Sequence, residues 1–368
     1  MRVFAKDRIL LTFAAQMTRM GGVGQGARGR EIMGDIGQIT LDAIRARHEA
    51  LGGHILRTPV VDLRTPGIAA AMGGGAVTLK LECFQHTGTF KARGALSNAL
   101  AIPPDRAPAG ITAASAGNHA IAAAWAARVA GMSAKVVMQD TANPFRIACA
   151  EAQGAEVVLK PPGAETFAEA ERLARDEGRT FIHPFDGVDT VLGTAGVGFE
   201  LMAQVSSLDA VVVSVGGGGL IGGVAAAVKL INPGCAVLGV EPEGAAAMSV
   251  SLSRGAPATI ERIDTIADSL APPMALPMGH ALCAAYVDEM ATLSDDRICA
   301  GMVVLQQEAK LAIEPAAGAA MAAVLGPFRA RLQGRKVGVI VCGANLDAAT
   351  YAAHLTRGLP HVDVLMKG

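Results

Sequence analysis

Short apolar segments alternate with alanine-rich helical ones along most of this chain, and no other feature limits its fold as strongly. Thr58-Pro59-Val60-Val61 leads into a first strand, and buried strands are expected over Gly110–Ala114, Ala134–Met138 and Glu156–Leu159. Helical stretches lie between and around them. One runs to Leu51 from a Thr40 cap, and others cover Lys91–Leu100, Ala120–Ala130, Pro144–Gln153 and Thr166–Glu177. A second alternating unit begins near Thr190, with strands at Ala210–Val215, Ala236–Val240 and Val337–Val341. Strands this apolar, spaced by helices, belong in parallel sheets covered on both faces. The expectation is α/β, with two doubly wound parallel-sheet lobes. Composition agrees: 51% of residues are hydrophobic but only 4% aromatic, so alanine, valine and leucine must fill the interior.

Several function classes drop out early. The 368 residues carry a net charge of −1, which gives no electrostatic case for nucleic acid or an anionic membrane as partner. Cysteines 83, 149, 235, 283, 299 and 342 are scattered, with no CxxC pair, so neither a zinc site nor a disulfide framework is implied and a cytoplasmic location is expected. No apolar run has the length of a membrane helix. Residues 1–36 read as a flexible extension: Ile9–Ala15 is short for a secretory core, Asp7 breaks the charge pattern, Gly21–Arg30 is linker-like, and Met33 offers an internal start.

Three stretches carry chemistry. The first is Leu79–Ala95, a short strand running through a polar loop to Lys91, which lies between Phe90 and Ala92. An arbitrary lysine is a solvated surface cation. Here Gly88 and Thr89 allow a tight turn and Phe90 supplies an apolar wall, so a desolvated amine able to form a Schiff base is the better reading. Its natural aldehyde partner is pyridoxal phosphate. The second stretch, Ala114–Ala120, joins a strand to a helix start, where successive backbone amides can cradle an anion. The third is Gly216-Gly217-Gly218-Gly219-Leu220, which follows a buried strand and suits a phosphate. Gly217-x-Gly219-x-x-Gly222 also matches the dinucleotide fingerprint, with Glu241 at about the right distance. That reading is disfavoured because the loop follows a complete α/β unit and leaves Lys91 and Asn118 without a role.

Lys80-x-Glu82 followed by Thr87-Gly88-Thr89-Phe90-Lys91-x-Arg93-Gly94-Ala95 resembles the lysine motif of the threonine/serine dehydratase family. These are pyridoxal-phosphate enzymes of the tryptophan-synthase-β-like fold (fold type II), a group that includes serine racemase. The likeness runs from about Ile39 to about Arg357, with Thr89 where Ser is usual. It implies that Lys91 carries the cofactor beside Phe90, and that Gly216, Gly217, Gly218, Gly219 and Leu220 hold its phosphate. It also implies that Ser115, Ala116, Gly117, Asn118 and His119 grip the substrate carboxylate, with Asn118 reaching the cofactor's 3′ oxygen as well. His119 is read mainly as a loop and helix-start residue. Glu314-Pro315-Ala316-Ala317-Gly318-Ala319 resembles the family's EPxxGA segment, and Ile266–Leu270 its ADG turn with Ser269 in place of Gly. Cys342 stands where a Ser or Cys faces the pyridine nitrogen; the alternative is a buried structural cysteine. Some relatives hold a divalent cation near Glu241, but the second carboxylate position is Ala247, so no metal is expected and Glu241 reads equally well as a helix-start acid.

The activity this resemblance implies is dehydration of a β-hydroxy-α-amino acid, threonine or serine by default, to a 2-oxo acid and ammonia by Schiff-base β-elimination. Segments Glu241–Gly244 and Ala267–Ala271 resemble a subgroup acting on less common substrates, so phenylserine, 3-hydroxyaspartate and hydroxyectoine-derived compounds stand as alternatives, as does amino-acid racemisation. Racemisation needs a proton donor opposite the lysine. The resemblance to serine racemase implies that Ala116 stands at that position, and its methyl group has no proton to give, so elimination is expected to dominate. A non-catalytic binding protein on this fold would be expected to lose Lys91 or the glycine loop, and both are present. The expected division is the extension at 1–36, a large cofactor-binding domain from 37–107 with 187–357, and a small domain at 108–186. The expected partner is a small amino acid, and the expected assembly a homodimer or homotetramer.

Overall fold

The computed structural model describes residues 35–115 and 117–367, so the expected flexibility of residues 1–34 and the role given to Ala116 lie outside the described residues. Among the described residues, ten strands form two sheets: β1 (Val60–Leu63), β2 (Ala76–Lys80), β3 (Ile111–Ala114), β4 (Ala134–Gln139), β5 (Glu156–Lys160), β6 (Thr180–Phe181), β7 (Ala210–Ser214), β8 (Ala236–Pro242), β9 (Glu289–Leu293) and β10 (Lys336–Ile340). One sheet has the order β1-β2-β10-β7-β8-β9 and the other β5-β4-β3-β6. All pairings are parallel except β1 with β2, whose register sets Val60 opposite Lys80.

The core strands are the runs with no polar face. Every residue of β3 and of β7 is buried, as a parallel strand covered by helices on both faces requires. Small side chains let those helices come close. Helix Pro315–Leu325 is buried along its whole length. A Cβ built on Gly301 would collide with the Gly318 carbonyl, so helix Asp295–Ala309 packs against it nearly backbone to backbone. Thr40 caps helix Leu41–Leu51 by accepting from the Ala43 amide at 3.1 Å. Among the described residues, no helix is long and apolar enough to cross a membrane.

Two strands were not visible in the sequence: β6 has only two residues, and β9 (EMATL) is half-exposed and partly polar. Each takes its strand identity from a neighbour rather than from its own pattern. The first strand, expected after Thr58-Pro59, is β1, an edge strand paired in the opposite sense.

The loops leaving β2, β3, β7 and β10 at their carboxyl ends hold the residues singled out above, as in other open α/β sheets. The β2/β10 ladder continues past both strands: Val341 N donates to Lys80 O at 3.0 Å and Cys83 N to Val341 O at 2.9 Å. The lysine loop is thereby tied to the Cys342 loop. Beneath it lies a buried ionic network. Arg93 donates to Glu82 at 2.7 and 2.8 Å and to Glu200 at 2.7 and 3.0 Å. Lys80 donates to Glu200 at 2.5 Å and to the Thr58 carbonyl and Gln204 at 2.8 Å each. Two cations and two carboxylates balance, and they join β2, the start of helix Lys91–Ala101 and helix Val188–Gln204.

Candidate active site

Lys91 opens helix Lys91–Ala101, with Phe90 as its cap residue. Two contacts fix the cap. Phe90 N donates to Cys342 O at 3.0 Å, and Thr89 Oγ1 donates to the same carbonyl at 3.1 Å. The Lys91 amine lies 5.1 Å from the Phe90 ring centre and donates to Pro184 O at 2.5 Å. Among the described residues it has no carboxylate partner, unlike Lys80. Burial pulls its pKa down to about 8, against the opposing pull of Cys342 and Glu314.

The amine faces a cleft, partly open to solvent, lined in part by Phe90, His119, His183, Phe185, Gly219 and Leu220. The glycine loop forms one wall. Gly218 has φ +91°, a conformation glycine adopts without strain, and helix Gly219–Ile231 begins immediately after it. A Cβ on Gly217 would collide with the Phe185 ring, and one on Gly219 would come within 2.5 Å of the Phe185 carbonyl. Among the described residues, the amides of Gly216, Gly217 and Gly218 have no protein acceptor. Unpaired amides at a helix N-terminus are the donor set that a phosphate monoester needs, so the loop fits pyridoxal phosphate.

Cys342 is buried, its sulfur 3.5 Å from Ser214 Oγ, and burial together with Glu314 pushes its thiol pKa well up. It is a neutral group. Asn118 starts helix Asn118–Val129, donates to both Glu314 oxygens at 2.9 Å and accepts from Asn345 Nδ2 at 2.8 Å. Glu314 is fully enclosed, and burial raises its pKa while Arg146 and Asn118 oppose the rise. Ser115 Oγ accepts from Gly117 N at 3.1 Å. His119 Nε2 lies 2.9 Å from Ile182 O, and burial followed by the nearby Lys91 charge drives its pKa down to about 3, so it is a neutral donor.

Glu241 lies elsewhere and is fully used. It accepts from Met248 N and Ser249 N at 2.8 Å each and from Ser249 Oγ at 2.6 Å, capping helix Ala247–Arg254.

Three contributions went unread in the sequence. The His183–Phe185 segment reaches the cavity from the link between the two sheets. Asn345 braces the lysine loop by donating to Thr87 O at 2.8 Å. Arg146 lies against Gly117, donates to Asn345 O at 3.0 Å and pairs with Asp268. A histidine-proline-phenylalanine run was the available signal for the first; the other two depend on contacts across 258 and 199 residues of chain.

The low Lys91 pKa has a measurable consequence. Only the neutral amine can attack an aldehyde, so uptake of pyridoxal phosphate by the apo protein should rise about tenfold from pH 7 to pH 9 and level off. Stopped-flow absorbance reads this rate. A rise of about a hundredfold with no plateau, as for an ordinary lysine, would contradict the desolvated amine.

Comparison with known proteins supplies the family. A profile described as "Pyridoxal-phosphate dependent enzyme" matches residues 51–343. A phenylserine dehydratase from Ralstonia pickettii is 48% identical over 318 residues, covering 86% of this chain and 97% of that protein. An L-threonine ammonia-lyase from Thermotoga maritima is 34% identical, covering 87% of this chain and 79% of the relative. Among solved structures, maize serine racemase superposes with a TM-score of 0.81 at 31% identity, over 88% of this chain and 98% of its own. The chain belongs to the family of pyridoxal-phosphate-dependent enzymes.

Proposed function

We propose that this chain is a dehydratase (ammonia-lyase) that converts a β-hydroxy-α-amino acid to a 2-oxo acid and ammonia. The observation that carries the reading is a half-buried lysine whose desolvated amine has a pKa near 8, free of any carboxylate partner among the described residues and facing a glycine loop with unpaired amides. Family membership and the similarity to named dehydratases support it.

Bound pyridoxal phosphate supplies an electron sink that makes the substrate's α-proton removable. The protein's part is positional and acid–base. Gly216–Gly219 and the start of helix Gly219–Ile231 would hold the phosphate. Lys91 would anchor the cofactor aldehyde and, once freed by the incoming substrate amine, take the α-proton on Nζ; a pKa near 8 suits that task. Ser115, Gly117, Asn118 and His119 would orient the substrate carboxylate at the N-terminus of helix Asn118–Val129, with the Arg146 guanidinium against Gly117 adding positive potential. Cys342, a neutral thiol, would leave the pyridine nitrogen without a counter-charge, and that favours expulsion of the β-hydroxyl over long storage of charge on the ring.

The test is a screen of purified holoenzyme for 2-oxo acid and ammonia released from serine, threonine, phenylserine and 3-hydroxyaspartate. Equimolar release from at least one of them is expected. Conversion of L- to D-isomers with no 2-oxo acid from any would overturn the reading. A homodimer or homotetramer is also proposed. Leu56 and Phe84, 45% and 53% exposed, sit on segments tied together through Gln85 and offer apolar surface for a partner copy. A monomer by light scattering at micromolar concentration would contradict the assembly.

A further inference from the structure

Aromatic residues make up only 4% of this chain, yet several of them gather in one cluster that reaches the Lys91 cavity through His183 and Phe185. Phe167 and Phe181 have ring centres 6.4 Å apart and meet edge to face. His183 lies 6.2 Å from Phe167 and 6.0 Å from Phe181. Phe185 lies 4.6 Å from His183, again edge to face, and rests against Gly217 of the glycine loop. The rings form one continuous wall. Its inner members, His183 and Phe185, line the Lys91 cavity, and its outer member, Phe167, is 38% exposed.

Edge-to-face packing of this kind presents ring faces and edges to a further ring. Two more observations bear on the occupant. His183 Nδ1 accepts from the Phe185 and Asp186 amides at 3.3 and 3.0 Å, which fixes the imidazole plane. Burial, then the Lys91 charge, lowers its pKa to about 4, so the wall is uncharged at neutral pH. Among the described residues lining the cavity, Lys91 is the only charged side chain, so a second substrate carboxylate would find no partner there.

Resting on the dehydratase reading, we infer that His183 and Phe185, positioned from behind by Phe167 and Phe181, form an aryl-binding wall that selects β-hydroxy-α-amino acids bearing an aromatic ring on the β-carbon. The ring would stack along the wall while the α-carbon stays at Lys91. A methyl or hydrogen substituent would leave the wall in contact with water and gain nothing from it, whereas a phenyl ring would be held at a fixed distance from the proton-accepting amine.

The first test is the ratio of kcat/KM for phenylserine to that for threonine. In the wild type it should exceed about tenfold, and in Phe167→Ala it should fall about tenfold. Phe167 is partly exposed, so that variant should still fold; Phe181→Leu, which keeps an apolar side chain, should lower the ratio in the same direction. The second test needs no turnover. L-Phenylalanine and L-alanine lack the β-hydroxyl, and calorimetric titration of the holoenzyme should show phenylalanine binding at least about tenfold tighter, with most of that margin lost in Phe167→Ala. Elimination of threonine and serine with no aryl preference, together with equal binding of the two probes, would overturn the aryl wall and leave the dehydratase reading standing. Tight phenylalanine binding with no 2-oxo acid from any substrate would do the reverse.

Discussion

Lys91→Ala is expected to abolish the holoenzyme's cofactor absorbance band and to lower turnover by about 10³-fold or more. Two functions leave with one side chain: the covalent hold on the aldehyde and the base for the α-proton. The fold should survive, because alanine suits a helix start and the cap contacts from Thr89 and Phe90 to the Cys342 carbonyl do not involve the amine. A melting curve close to wild type would show that the loss is chemical. Added methylamine or a similar small amine should restore part of the rate by acting as a diffusible base. Turnover near the wild-type level in Lys91→Ala would refute the assignment outright.

The second large effect concerns stability. Arg93→Met is expected to destabilise the fold by about 3–5 kcal/mol, because it strands Glu82 and Glu200 in the interior without their shared guanidinium. Lys80 still reaches Glu200, but among the described residues the Glu82 carboxylate keeps only the Thr58 hydroxyl as a donor. The effect should depend on pH with a definite sign. Burial alone would raise the Glu200 pKa; hydrogen bonds and charge from Arg93, with help from Lys80, hold it below the usual carboxylate value. A carboxyl with a lowered folded pKa contributes stability above its unfolded pKa of about 4.3 and loses it as the pH falls through the folded value. Without Arg93 desolvation dominates, the folded pKa rises, and the variant gains from protonation as the pH falls towards 5. The gap between wild type and Arg93→Met in urea midpoints should therefore be widest near pH 7 and narrow towards pH 4.5. A gap that widens in acid would contradict this account of the network.

Much of the architecture could be read from the chain because its signals are local. The β3 and β7 segments are apolar throughout, and a strand buried on both faces needs little else. The lysine and glycine loops could be read because tight turns and phosphate cradles demand particular residues in sequence. What stayed hidden is held in place from far along the chain. β6 is two residues long and exists only beside β3. Arg93 stood in a recognisable motif, but its second partner, Glu200, lies 107 residues away on an otherwise ordinary helix. His183 and Phe185 gave little local sign of the cavity, because only the crossing between the two sheets brings them to Lys91. Glu241 could be read either as a cation ligand or as a helix-start acid, and the hydrogen bonds from Met248 and Ser249 give it the second role.

The chemistry proposed for this chain rests on one amine, and reductive trapping tests it directly. Borohydride treatment of the holoenzyme, followed by peptide mass mapping, fixes the pyridoxyl group to whichever lysine carries it. The prediction is a single modified peptide containing Lys91. Lys80 is the informative competitor, since it is fully buried nearby in the same stretch of chain, but its amine is already committed to Thr58, Glu200 and Gln204. A label on Lys80 or any other lysine, with Lys91 unmodified, would contradict the site from which every other inference is built.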